Sequence, residues 1–342
     1  MRPGGSVERG SIRSRLAVLV VGLVFALGLA APTRSAAQET EPVASCRVGV
    51  DILALHSIDV DHNTFDAGFW IWSVCPDDRI KPLDTIEFVN ANSVQMSLAG
   101  ATTVDGVVWS YAKVEGTFRH YWNLTDFPFD RHTIEIRIEN ADLDATEFVF
   151  EPDTDGSAFE PDMPLAGWDI VSFGVRSDVA TYQTTYGDPR DPGGTSDYSR
   201  LTVQIGLERD DLSSFIKLTF VVYAAFLVSL ISFFVNLETP TMLAARLGLV
   251  SAGLFAVAVN LNMATSTLGS EDRLTLVGQI HLVTMTAIVL GAVGALAAHL
   301  LVERGRSETT LRRFDRNMMM ILLVVYILAN AWLIGSVAFK YA

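Results

Sequence analysis

With 342 residues, 50% of them apolar, and a formal net charge of −14, the chain has room for two domains of ordinary size and enough hydrophobic surface for one to lie in a membrane. The acidic balance argues against nucleic acid as a partner, because binding surfaces for nucleic acid are basic. Two cysteines and no clustered histidines leave too few ligands for a structural zinc site.

Residues 1–37 open with Arg2, Arg9, Arg13 and Arg15, continue through an apolar run from Leu16 to Ala31 and end on Ser35-Ala36-Ala37. That is the pattern of a secretory signal peptide, with Gln38 beginning the mature chain; an uncleaved anchor is the other reading. Between Gln38 and Ser214 there are 32 Asp and Glu against 11 Lys and Arg, so the acidic excess belongs to an exported domain, residues 38–212. It can attract cations, bind protons or simply keep the domain soluble.

This domain reads as short alternating runs. Val48, Val50 and Ile52 alternate with Arg47, Gly49 and Asp51, and a turn at Asp59 to Asn63 returns the chain along Phe69 and Ile71. Cys46 and Cys75 lie nearly equidistant from that turn, which predicts a cross-strand disulfide. Further strands are expected at Ile86 to Val94, Val107 to Val114, Phe118 to Trp122, Thr133 to Glu139, Glu147 to Glu151, Trp168 to Arg176 and Tyr198 to Arg209. About ten strands with turn signals between them predict an antiparallel β-sandwich, and Tyr186 to Thr195, rich in Gly, Pro and Asp, is a hairpin tip.

Residues 213–342 predict an all-α transmembrane domain of four helices, with spans at about 215–237, 243–268, 274–302 and 318–339, each long enough to cross a bilayer. Arg304, Arg306, Arg312, Arg313 and Arg316 between the last two spans place that loop in the cytoplasm. Ser251, Asn260, Asn262, Thr265, Ser266 and Thr267 make the second span the polar one. At 100° per residue, Ser251, Phe255, Ala258 or Val259, Asn262 and Ser266 fall near one face, and Gly248 and Ala252 flank its lower end. Such a stripe either lines an aqueous pore or cements helices within one subunit.

One stretch carries more specific information. Residues 122–139 pass from a proline turn into a strand in which Ile134, Ile136 and Ile138 share a face. Phe127-Pro128-Phe129-Asp130 within it resembles the signature loop of the pentameric ligand-gated ion channels, the Cys-loop receptor superfamily. Thr85-Ile-Glu-Phe-Val-Asn90, Gly167-Trp-Asp-Ile170, the run into Arg209 and the spacing of the spans are similar, in the same order, to bacterial proton-gated members, so the resemblance covers roughly residues 47–340. The cysteines that close the loop in animal members would fall at His120 and Ile134; bacterial members lack them too.

The resemblance implies a homopentameric ion channel in a bacterial inner membrane, its N-terminal domain periplasmic, gated by a small molecule or by protons and passing inorganic ions. It implies no cofactor and no enzymatic activity, and no catalytic motif is found. Gly248, Ser251, Ala252, Phe255, Val259, Asn262 and Ser266 would line the pore, with Phe255 and Val259 closing it by dewetting. Coupling would run through Phe127, Pro128, Phe129 and an Asp130–Arg209 pair, with Asp59 and Asp61 approaching the linker Gly269 to Arg273. An agonist would meet Trp70, Trp109, Tyr111, Tyr182, Tyr186 and Tyr198, where aromatic faces attract ammonium groups, although these rings can equally be core. Ala141 and Cys75 stand where the family usually carries tryptophan, and the first span lacks the family's proline. Protons acting on the many carboxylates, with His281 and His132 in second place, are the competing stimulus. Ala244-Ala-Arg-Leu-Gly248 resembles the pore-helix foot of anion-selective members and leans towards anions, against a Glu238 near the mouth. A non-conducting periplasmic sensor retaining the fold is the alternative function.

Overall fold

The computed structural model describes residues 43–189, 193–209, 211–235, 240–268 and 274–341. The signal peptide, Glu238, the linker Gly269 to Arg273 and the side chain of Ser266 lie outside the described residues.

Ten strands come first: β1 (Ala44–Asp59), β2 (Thr64–Cys75), β3 (Ile86–Phe88), β4 (Ala91–Val104), β5 (Val107–Arg119), β6 (Arg131–Asn140), β7 (Phe148–Pro152), β8 (Ala158–Phe159), β9 (Asp169–Tyr182) and β10 (Ser196–Glu208). They form one sheet ordered β4-β5-β2-β1-β7, with β8 also on β1, and a second ordered β3-β6-β10-β9. The period-two alternation determines which side of each strand is buried. Val48, Val50, Ile52, Phe69 and Ile71 from the first sheet meet Ile134, Ile136, Ile138, Leu201, Val203 and Ile205 from the second in one core.

Three expectations about strands are corrected. The pairing is not antiparallel throughout, because β7 and β8 lie parallel to β1. After β6 the chain crosses from the second sheet and re-enters the first beside β1, running in the same direction. The single strand expected at Ile86 to Val94 is broken at Val89 and Asn90 into β3 in the second sheet and β4, which starts the first sheet and runs to Val104. The two expected at Val107 to Val114 and Phe118 to Trp122 are one strand, β5. Almost every residue of β4 is exposed, so Gln95 to Thr103 carries no alternation to read. Its tight return comes from Asp105 and Gly106, both at positive φ between the paired Val104 and Val107, as a two-residue hairpin requires.

The hairpin of β1 and β2 pairs Arg47 with Val74, and Cys46 and Cys75 beside them are joined in a buried disulfide, Cα to Cα 4.5 Å. It closes a loop of 29 residues. Replacing both cysteines with serine should lower stability by about 3 to 4 kcal/mol through the freed unfolded chain, read as a fall in the thermal midpoint relative to the oxidised protein.

Four helices follow: α1 (Leu212–Ile231, continued by a 3₁₀ turn Ser232–Phe234), α2 (Pro240–Leu268), α3 (Leu276–Glu303) and α4 (Glu308–Tyr341). All four are long and apolar enough to cross a membrane, with mean hydropathy of 2.0 to 2.2 over their best windows. Asp211 caps α1 by accepting from the Ser214 N–H (2.8 Å), and Thr275 caps α3 through the Gly278 N–H (3.0 Å). Helix α4 starts ten residues before the apolar run at Met318. Glu308 accepts from Arg312 one turn on (2.9 Å), and Leu311 and Phe314 continue the inner stripe, so Arg312, Arg313 and Arg316 are on a helix and only Arg304 to Ser307 remain as the connecting loop. Val222, Phe226, Val250, Val257, Ile280, Ile288, Leu322, Tyr326 and Leu333 form the helical core. Gly253 sits in it because a Cβ there would come within 2.7 Å of Ser229 Oγ and 3.1 Å of the Ala225 carbonyl, so α1 and α2 approach closely. Strands and helices belong to one compact unit, Val43–Ala342.

Candidate coupling site and pore face

The segment between β5 and β6 joins the strands to the helices. Asn123 caps a short 3₁₀ turn, Leu124–Asp126, and Trp122, Leu124 and Phe127 are buried behind it. The Phe127–Pro128 peptide is cis, and Phe129 reaches out to pack on Phe215 of α1, ring centroids 5.4 Å apart.

Asp130 follows, 1% exposed, and a carboxylate this deep must be paired. Its Oδ1 stands 3.1 Å from Arg209 Nε at the end of β10. The contact is an ion pair rather than an aligned hydrogen bond, since neither atom has a partner in hydrogen-bonding geometry. The two residues are also joined through the backbone, the Arg209 N–H donating to the Asp130 carbonyl (3.1 Å). Oδ2 accepts from His132 Nε2 (2.8 Å), whose other nitrogen lies 3.4 Å from His120 Nε2. The Arg209 guanidinium stacks 4.1 Å above Trp168 and 5.0 Å from the Phe127 ring. Burial pushes the Arg209 pKa down and Asp130 opposes it, while burial and then His132 push His120 down to about 4. Arg209 and Asp130, expected to meet, do so. His120, Trp168 and the His120–His132 contact were not foreseen.

The end of α4 docks on the same loop. The Lys340 amino group and the Tyr341 hydroxyl (2.6 Å) both donate to the Asp126 carboxylate. Arg131 lies 4.8 Å over the Tyr341 ring and donates to the Tyr341 carbonyl (3.3 Å) and to Glu208 (2.6 Å). The loop therefore touches both α1 and α4. At the β1–β2 turn Asp59 accepts from the His62 ring (2.8 Å), and bonds from the His62 backbone and then its ring hold the Asp59 carboxyl below its usual range. Asp61 is exposed, and the linker that both aspartates were expected to approach lies outside the described residues.

Helix α2 has two unlike faces. Arg246, Val250, Gly253, Val257, Asn260 and Ala264 are buried at helical spacing, whereas Gly248, Ser251, Ala252, Phe255, Val259 and Asn262 are exposed, Phe255 at 71%. The expected stripe is thus one face, turned away from the rest of the chain. Arg246 does not belong to it. Fully buried, it donates to Asp315 on α4 (3.0 and 2.9 Å) and to the Phe233 and Val235 carbonyls (3.1 and 2.8 Å), and it stacks on the Phe233 ring. The arginine behind the lean towards anions is therefore turned away from the exposed stripe, its charge paired on α4. Asp315→Ala should cost about 3 to 5 kcal/mol by stranding a buried cation, measured as thermal unfolding in detergent. Deeper in the helices, His281 Nε2 lies 2.7 Å from Asn260 Oδ1, tying α3 to the buried side of α2.

No protein-family model matches the chain, and no curated protein sequence does.

The six aromatic candidates fall into two groups on different sheets. Trp70, Trp109 and Tyr111 neighbour one another on β2 and β5, with Trp109 4.7 Å and Trp70 6.2 Å from Tyr111. Tyr182, Tyr186 and Tyr198 cluster at 5.7 to 6.4 Å at the β9–β10 hairpin. Behind them the buried Glu139 accepts from Arg200 Nε (2.6 Å) and the Tyr182 hydroxyl (3.0 Å); burial and then that carboxylate push the Tyr182 phenol up. No ring contact links the two groups among the described residues. The Glu139–Arg200 pair had no sequence signal, because the two lie 61 residues apart.

Proposed function

We propose that the chain is the subunit of a homopentameric ion channel of the Cys-loop type, with an extracellular or periplasmic β-sandwich and α2 lining the pore. The observation that carries this reading is the exposed face of α2. It combines small and apolar residues with the hydroxyl of Ser251 and the amide of Asn262, polar groups that lipid solvates poorly, and the whole face has no buried partner surface in the chain. Five copies around an axis give that face water to meet and place Phe255 and Val259 at a constriction that can dewet. In such a ring the Trp70–Trp109–Tyr111 group of one subunit can face the tyrosine hairpin of the next, which would make a small-molecule site from two halves.

Signals from that site would reach the helices through the Asp130–Arg209 cluster, which is in contact with α1 and α4 by way of its loop. The second reading, a non-conducting sensor, is favoured by one feature: among the described residues from Gly248 to Asn262, the exposed face of α2 carries no formal charge. Purified protein in planar bilayers, stepped from neutral to acid pH and then screened with small amines and carboxylates, separates the two. Current that reverses at a permeant ion's equilibrium potential supports the channel. Silence from pentamers verified by mass supports the sensor, and a different subunit number removes the pore geometry altogether.

A further inference from the structure

We propose that His120 and His132 are a proton-sharing pair at the coupling site, which accepts one proton in place but is forced apart by a second, so that acid loosens the Asp130–Arg209 contact. The proposal rests on the coupling role assigned above to that contact.

The donor and acceptor arithmetic carries it. A carboxylate only accepts, so His132 Nε2 must bring a hydrogen to Asp130 Oδ2 at 2.8 Å. That leaves His132 Nδ1 facing His120 Nε2 at 3.4 Å, with room between them for a single hydrogen. In the neutral pair His120 Nε2–H supplies it. A first added proton goes to the remaining nitrogen of His120, and every contact survives. A second must go to His132 Nδ1, where two N–H groups of two imidazolium rings would point at each other. The rings then separate, or the proton stays off.

The surroundings decide what separation does. Among the described residues Asp130 is the one carboxylate in contact with His132, and with both rings charged it would face the His132 imidazolium and the Arg209 guanidinium, with the His120 imidazolium behind His132. Glu135 favours charge on His120, Arg137 opposes it, and Asp211 adds a second negative charge that favours the charged Arg209. Protons have a way in. His120 lines an open cavity of about 850 Å³ together with His62, Arg119, Tyr121, Glu135 and Arg137, whereas His132 is buried. Burial and then the neighbouring His132 push the His120 pKa down, so its charge is disfavoured where it stands and acid favours any arrangement that releases the ring.

The rings also carry their own reporter. Trp122 is 4.6 Å from His120 and 4.9 Å from His132, and Trp168 is 5.4 Å from His132, so charging or moving either imidazole changes tryptophan emission. The test is an acid titration of intrinsic fluorescence on the full chain in lipid nanodiscs, with current recorded in parallel. The wild type should show a transition between about pH 6.5 and 4, and His120→Gln and His132→Gln should each remove it or move its midpoint by more than about one unit, a tenfold change in proton affinity. His56→Gln, on an exposed stretch of β1, should leave it in place. If His132→Gln does not fold, His120→Gln decides, since it removes no carboxylate contact.

An unchanged transition in the histidine variants overturns the pair. A lost transition with an unchanged pH dependence of current overturns its effect on coupling. A histidine-dependent transition in protein that never conducts supports the pair and overturns the channel reading instead.

Discussion

Asp130→Asn is expected to lower the unfolding midpoint by roughly 5 to 8 °C, the equivalent of about 3 to 5 kcal/mol for a chain of this size. The amide keeps the shape of the carboxylate but removes the charge that faces Arg209, whose side chain is 16% exposed and whose guanidinium lies over the Trp168 and Phe127 rings. It also leaves His132 with a weaker acceptor. Arg209→Gln should be nearly as costly, because it strands the buried carboxylate. The double variant should cost clearly less than the sum, with an interaction energy of at least about 1 kcal/mol. Thermal unfolding followed by circular dichroism on the four proteins closes the cycle. Additive losses would mean that the two groups do not sense each other and that the stacking on Trp168 alone holds Arg209. Because the pair joins the residue before β6 to the residue after β10, three positions ahead of α1, its rupture should also uncouple any response of the helices to the strand domain.

Phe255→Ala is expected to raise resting current by at least about tenfold, the equivalent of about 1.4 kcal/mol in the closed-to-open balance. The ring is 71% exposed within its own chain, so its removal leaves the subunit core intact and should shift the thermal midpoint very little. In a ring of five copies the same side chains meet across the axis, and removing them widens and wets the constriction. Stable protein with no change in resting current would place the gate elsewhere on α2. A large loss of stability would show instead that Phe255 packs against other helices, and the pore assignment of its face would fail with it.

Local periodicity is what made much of this molecule legible. Val48 to Ile52 and Ile134 to Ile138 alternate because each strand has one face in a core, and Cys46 and Cys75 meet because a hairpin mirrors distances about its turn. The four spans follow from apolar length, and the face of α2 from 100° per residue. Where no face is buried the signal vanishes, as in β4, whose residues Gln95 to Thr103 are held only by pairing with β5. The first turns of α4 escaped notice for a related reason, since arginines there mark the side of a membrane but do not by themselves end or begin a helix.

The sequence by itself determined the strand-then-helix order, the disulfide, the Phe127 to Asp130 loop and the polar stripe of α2, since each depends on neighbours along the chain. Only the tertiary structure decided where the charges ended up. Arg246 finds Asp315 at a separation of 69 residues, Asp126 finds Lys340 and Tyr341 more than 200 residues away, and His120 finds His132 across the loop. A buried charge or imidazole takes whichever partner the packing brings within about 3 Å, and no spacing in the sequence records that choice.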